Sequence, residues 1–267
     1  MGIIYCEKDR TFTLQTKETT YQMQVDQYGF LLHLYYGKKA EGCMDYLLTY
    51  YDRGFSGNPY DAGTDRTYSM DSLPQELSCY GNGDFRSASL MLENGDGSMS
   101  CDMRYRSYTI RDGKYSLPGL PAVYADNDEA QTLEIVLEDP ATGVEAMLLY
   151  GVLPELDIIT RAAVVENRTE GDIQISRIMS ACLDLPDKDY EWIQLSGAWA
   201  REREIKTRKL EQGIQSVGSL RGNSSHNHNP FIALKRPSAD EFQGDVIGMS
   251  LVYSGNFLMQ AEVDTYD

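Results

Sequence analysis

TFTLQTKETTYQMQVDQYGFLLHLYY, residues 11–36, decides the fold class. Phe12 and Leu14, then Tyr21, Met23 and Val25, occupy alternate positions, and after a turn at Gly29 the run thickens through Phe30, Leu31, Leu32, His33, Leu34, Tyr35 and Tyr36. Apolar spacing of period two with aromatic enrichment predicts strands, because successive side chains of an extended chain point to opposite faces. His33 is isolated in this run and is read as a partly buried, hydrogen-bonded side chain rather than a catalytic one.

The same pattern continues outward. Short strands are predicted at 89–92, 99–108 and 133–137, where Leu133, Ile135 and Leu137 share one face and Glu134 and Glu138 lie outside it. Asn94-Gly95, Asp112-Gly113, Pro118-Gly119 and Thr142-Gly143 supply turns between them. Residues 144–153, 158–165 and 173–185 are nearly continuous in apolar content, as strands buried on both faces or capped by a second sheet would be, and a last strand is predicted at 246–253. No segment carries a capped helical stripe, so the expected architecture is all-β, two large antiparallel sheets stacked in a sandwich. With no repeat and no linker tract, residues 1–267 are read as one domain. The alternation of Phe257, Met259, Ala261 and Val263 is still running near the end, so the sequence is read as cut inside or at the edge of a β domain, by truncation or a broken reading frame.

One stretch breaks the strand rhythm. Residues 52–86, DRGFSGNPYDAGTDRTYSMDSLPQELSCYGNGDFR, hold five glycines, two prolines and no apolar run of strand or helix length. A connection of more than about 15 residues in a folded domain is functional or disordered. Phe55, Tyr60, Tyr68, Met70, Leu73, Leu77, Tyr80 and Phe85 are spread along it as anchors, so it is read as an ordered loop presenting Asp52, Asp65 and Arg66 to something outside its own domain.

Forty-one acidic against 24 basic residues give a net charge of −17, a field that repels nucleic acid and anionic lipid and is indifferent to neutral ligands such as sugars. The five cysteines, Cys6, Cys43, Cys79, Cys101 and Cys182, are odd in number and without CxxC spacing, which suits reduced thiols in a cytoplasm, each a small core residue. The N-terminus lacks a basic region followed by an apolar run, and no window is apolar enough to span a membrane.

Both tryptophans fall close together, in Tyr190-Glu191-Trp192 and Gly197-Ala198-Trp199, near Arg201, Glu202 and Arg203. Indole faces pack on the C–H face of a pyranose while carboxylates and guanidinium groups bond its hydroxyls; equally, both rings could fill a core. His226 and His228 stand two apart, but their neighbours are Ser and Asn, so a hydrogen-bonded loop is expected there rather than a metal site. No GxSxG elbow and no phosphate loop is present, and no cofactor is expected.

DRTYSMDSLPQE (65–76), YGNGDFR (80–86), LEIVLED (133–139), YEWIQLSGAWARERE (190–204), RGNSSHNHNPFIAL (221–234) and VYSGNFLMQAEVD (252–264) resemble, in this order, the N-terminal domain of bacterial α-galactosidases of glycoside hydrolase family 36. The resemblance implies a large β supersandwich of the galactose mutarotase-like type, which in that family precedes a (β/α)8 barrel. It implies a parent enzyme that is retaining, removes terminal α-galactose from melibiose and raffinose, and is a homotetramer. Both catalytic aspartates of the family lie on the barrel, so no catalytic residue is expected here and the chain alone should be inactive. The family's pocket aspartate matches Asp52, its pocket tryptophan matches Trp199, and Arg66 of the DRT motif is their companion, lending side chains to the galactose pocket in part across subunit contacts. The tip FSGNPYDAG departs from the family's pattern at Gly57 and around Tyr60 and Gly63, which bears on where Asp52 and Arg66 are held.

Overall fold

The alternating segment folds into a meander. Strands β1 (Gly2–Cys6), β2 (Thr11–Gln15), β3 (Thr19–Val25) and β4 (Leu31–Lys38) pair antiparallel in that order, with Phe12 opposite Met23 and Leu14 opposite Tyr21. Next come β5 (Leu90–Glu93), β6 (Arg104–Asp112), β7 (Gln131–Glu138), β8 (Val144–Leu153), β9 (Ile158–Asn167) and β10 (Gln174–Ile178). Here β6-β7-β8-β9 form a second antiparallel sheet, and β5 pairs with β10. The computed structural model describes residues 2–54 and 57–265, so Phe55 of the predicted anchors lies outside the described residues. By their contacts the residues group into two units, Met1–Ser116 with Tyr124–Asp184 and Leu117–Val123 with Leu185–Asp267.

In the first unit the sandwich closes between the two four-stranded sheets. Phe12, Leu14, Met23 and Val25 share one buried cluster with Leu133, Ile135, Val144, Leu148 and Val152. Each such side chain contributes about 1.5–3 kcal/mol by leaving water. Glu134 and Glu138 stay partly exposed on the other face of β7, as the alternation predicts.

A second layer covers the outer face of the meander. Phe30 and Leu32 pack with Ala62, Tyr68, Met70 and Leu73 of the long loop, so β4 is buried on both faces and its dense apolar run is explained. Gln22 of β3 bonds the same covering chain, donating to Gly42 O at 3.0 Å and accepting from Met44 N–H at 2.8 Å. Of the predicted anchors Tyr68, Met70, Leu73 and Leu77 are buried, whereas Tyr60, Tyr80 and Phe85 face solvent.

Some expected strands differ. The segment expected at 99–108 enters the ladder only at Arg104, after Cys101 and Met103 have turned into the core. Residues 158–165 belong to β9, an edge strand that is mostly half-exposed, and of 173–185 only β10 pairs, largely exposed. An apolar run reads alike for central strand, edge strand or packed loop, so these were not separable by composition.

The second unit contains β11 (Glu191–Ala198), β12 (Arg201–Lys209), β13 (Gly213–Ser219), β14 (His228–Lys235), β15 (Val246–Ser250) and β16 (Phe257–Val263). Its sheets run β12-β11-β14-β15 and β13-β16, all antiparallel, and the strand expected at 246–253 stops at Ser250. Trp192 sits at its centre with Tyr190, Val217, Ile232, Leu234 and Phe257. Among the described residues the only helical pieces are three short 3₁₀ turns, and no helix is long and apolar enough to cross a membrane.

What fastens the long loop to the sandwich is a buried carboxylate. Glu76 is paired with Arg161 of β9 at 2.8 Å, accepts from Tyr21 of β3 at 2.5 Å and Tyr150 of β8 at 2.7 Å, and lies 3.0 Å from His33 Nδ1 of β4. His33 is thus the hydrogen-bonded side chain the sequence suggested. Burial by itself would raise the Glu76 carboxyl, but Arg161, His33 and Tyr21 outweigh it and hold it at about 2. Burial pushes the Tyr21 and Tyr150 phenols well up, so both remain neutral donors.

Because the folded-state value lies below the ordinary 4.5, the contribution of Glu76 is complete above about pH 4.5 and is lost as the pH falls towards 2. Glu76→Gln leaves Arg161 buried without its counter-charge and should cost about 3–5 kcal/mol in urea unfolding at neutral pH. The variant should also show a shallower loss of stability between pH 4.5 and 2 than the parent chain. Equal stability of the two at pH 7 would mean that Glu76 does not fasten the loop.

Candidate functional site

The loop that carries Asp52 and Arg66 is built from turns rather than strands, and its sequence shows how it holds together. Gly57 and Gly83 cross so closely that a Cβ on Gly57 would lie 2.4 Å from Gly83 Cα, and Gly83 has φ +97°, a combination that only glycine tolerates. Asn58 donates its side-chain amide to Asp65 O at 2.9 Å and to Tyr68 O, and Met70 N–H reaches Gly57 O at 3.2 Å. Asp61 is paired with Arg104 at 3.1 Å, and Arg104 lies 3.8 Å over the Phe30 ring. These ties brace both ends of the tip around its short 3₁₀ turn, Tyr60–Ala62.

On that frame Asp52 and Arg66 meet. Arg66 Nε is 3.3 Å from Asp52 Oδ2, Arg66 also donates to Gly54 O, and Gly54 N–H donates to Asp52 Oδ1 at 2.7 Å. Both side chains remain well exposed, so the pair contributes little to stability and is free to engage hydroxyl groups. A carboxylate oriented by a guanidinium beside open solvent can accept from sugar hydroxyls while the arginine donates to ring oxygens. Asp65, also exposed, forms a local turn. Its carboxylate accepts from the Thr67 hydroxyl at 2.6 Å and the Thr67 N–H at 2.9 Å, and these bonds hold it below the usual aspartate range. Asp65 is exposed, as the sequence reading expects, and like Asp52 it also closes a local turn with the N–H two residues on.

Trp199 belongs to the second unit and sits in the two-residue turn between β11 and β12, where Ala198 pairs with Arg201. Ala200 adopts φ +61°, and its N–H is held at 3.0 Å by the Glu202 carboxylate, which fixes the turn. The indole is 85% exposed, whereas Trp192, seven positions earlier on β11, is fully buried. One tryptophan therefore fills the core and the other stands open at a hairpin tip. Glu191 pairs with Lys235 at 2.9 Å and serves the sheet.

The histidine segment forms the expected hydrogen-bonded loop. His228 Nδ1 lies 3.0 Å from Ser196 Oγ, and Asn227 Oδ1 accepts from Arg221 at 3.0 Å and Ser225 at 3.1 Å. Glu76 and Arg161 escaped the sequence reading, because the partners of Glu76 stand 43, 55, 74 and 85 positions away and no spacing links them.

Comparison with known proteins bears on this frame directly. Residues 29–267 match the glycosyl hydrolase family 36 N-terminal domain. The bifunctional α-galactosidase/sucrose kinase AgaSK of Mediterraneibacter gnavus is 51% identical over 100% of this chain and 29% of its own length. The α-galactosidase AgaA of Geobacillus stearothermophilus is 44% identical over 100% of this chain and 36% of its own length. The chain thus spans about a third of these relatives. Among solved structures, the galactosidase domain of AgaSK superimposes with a TM-score of 0.97 over 99% of this chain and 37% of that one, at 51% identity. An AgaA variant in complex with raffinose superimposes with a TM-score of 0.92 over 96% of this chain and 36% of that one, at 44% identity.

The placement of the two indoles has an optical consequence. A water-borne quencher such as iodide should suppress the emission of Trp199 and leave that of Trp192 untouched, so Trp199→Phe should abolish most of the quenching and Trp192→Phe little of it. The opposite assignment would put the wrong tryptophan at the surface.

Proposed function

The chain belongs to the glycosyl hydrolase family 36 N-terminal domain family, and on that premise we propose that it is the accessory and assembly domain of a retaining α-galactosidase acting on terminal α-galactosides such as melibiose and raffinose. The supporting observation is the exposed Asp52–Arg66 pair on a braced loop, a polar contact set suited to a hexose. Trp199, exposed on a fixed turn, supplies an apolar face for a sugar ring. In this scheme the nucleophile and the acid/base belong to a barrel domain, and Asp52, Arg66 and Trp199 are each lent to a galactose pocket, in part across subunit contacts, within a cytoplasmic homotetramer. No cofactor, nucleic acid or membrane takes part.

Two measurements test the scheme. Calorimetry of this chain with galactose or raffinose should give no measurable heat, since one ion pair and one ring leave little affinity once the entropy of association is met; clear saturation would make it a free-standing sugar-binding module instead. In an α-galactosidase carrying this domain, Asp52→Ala and Trp199→Ala should each lower kcat/KM by about 1–3 kcal/mol of transition-state stabilisation. Unaltered kinetics in both variants would leave the domain a purely structural one.

A further inference from the structure

Two segments leave the same end of the second unit's larger sheet side by side. The turn bearing Trp199 follows Ala198, the last residue of β11, and residues 221–227 run into β14, whose first residue, His228, pairs with Ser196. The segments are tied to each other. Gly197 N–H donates to Asn227 O at 3.1 Å, and His228 Nδ1 lies 3.0 Å from Ser196 Oγ. The backbone of Asn227 is thus fastened to the base of the hairpin whose tip carries the exposed indole.

The side chain of Asn227 is oriented before any ligand arrives. Its Oδ1 accepts from Arg221 Nη1 at 3.0 Å and from Ser225 Oγ at 3.1 Å, and because a guanidinium can only donate, the atom facing it is the amide oxygen. Nδ2 has no hydrogen-bond partner among the described residues, and it is not one of the enclosed polar atoms, so it reaches water with two N–H groups to offer. Arg221 is exposed and has no carboxylate partner among the described residues. Two further features of the segment cost stability without serving the sheet. Ser225 has φ +37°, and Asn229 Oδ1 is enclosed with no donor among the described residues. Costs of this kind persist where a site requires the geometry.

An apolar ring face with amide and guanidinium donors close by is a contact set that holds a pyranose. The indole covers the C–H face, and the N–H groups bond hydroxyl oxygens at the edge of the sugar. We propose that Asn227 and Arg221 are further sugar-contacting residues, donating to hydroxyl oxygens of the hexose that packs on Trp199, and that residues 221–227 and the Trp199 hairpin act as one binding patch. The assignment rests on the sugar-contact role given to Trp199 above and supplies the polar half of that contact.

In an α-galactosidase carrying this domain, Asn227→Ala and Arg221→Met should each lower kcat/KM for raffinose by about five- to tenfold, the loss of one hydrogen bond to the bound sugar. Iodide quenching of Trp199 emission in the present chain should be the same in both variants as in the parent, because the turn is held by Glu202. Lowered kcat/KM together with altered quenching would make the segment a brace for the indole and overturn the proposal. Unaltered kinetics in Arg221→Met, an exposed position where the fold is kept, would overturn it as well. Trp199→Ala separates this proposal from the one it rests on. If that variant loses kcat/KM while those at 221 and 227 do not, only the role of Asn227 and Arg221 falls; if all three keep it, both fall.

Discussion

The ion pair between Glu76 and Arg161 is the constraint on which the architecture of the first unit rests. A fully buried carboxylate is costly unless every lone pair is met, and here a guanidinium, two phenols and an imidazole from β3, β4, β8 and β9 meet it. Both sheets of the sandwich therefore converge on one residue of the long loop. Such a cluster has little tolerance for a shifted register, since losing any partner strands a charge or a dipole in a dry interior. It defines how the loop's C-terminal half lies, and the Gly57–Gly83 crossing carries that definition to the tip.

The division of labour along the loop follows. Tyr68, Met70 and Leu73 turn inward and cover β4, while the chain on either side of them turns outward. Asp52 and Arg66 stand on the outward part, held through Gly54 and by each other rather than by burial. The hairpin at Trp199 reaches the same result by different means, with a two-residue turn, one left-handed residue and a carboxylate that caps the turn from its own strand. Exposed groups with restrained backbones lose little freedom when a ligand arrives, which is what a contributor of individual contacts needs.

Much of the sandwich was legible in the sequence because a sheet writes its two faces into alternate positions. Phe12, Leu14, Tyr21, Met23, Leu133, Ile135 and Leu137 were all readable as core, and they are. The dense run at β4 also held information, since a strand apolar on both faces needs cover on both; the cover proved to be the loop, which alternation could not name. Edge strands and their ends were less readable, as β9, β10 and the start of β6 show, because apolar content does not record which neighbour does the burying. Asp52 and Arg66 were singled out on the long polar loop and Trp199 as one of two neighbouring indoles, and the order of short motifs then suggested a pocket role for them; periodicity pointed to none of the three. Asp65 and Glu76, equally acidic and on the same loop, have quite different surroundings that only the folded chain distinguishes.

The double covering of β4 sets limits on how this region can change. The segment between β4 and β5 is not an appendage that could be trimmed without harm: removing it would lay bare Phe30 and Leu32 and orphan Arg161. Replacements are best accommodated at the exposed tip around Tyr60 and Thr64, because Gly57 is crossed by Gly83, Asp61 holds Arg104 and Ala62 packs into the cover, so diversification among descendants of this protein is channelled to those few positions.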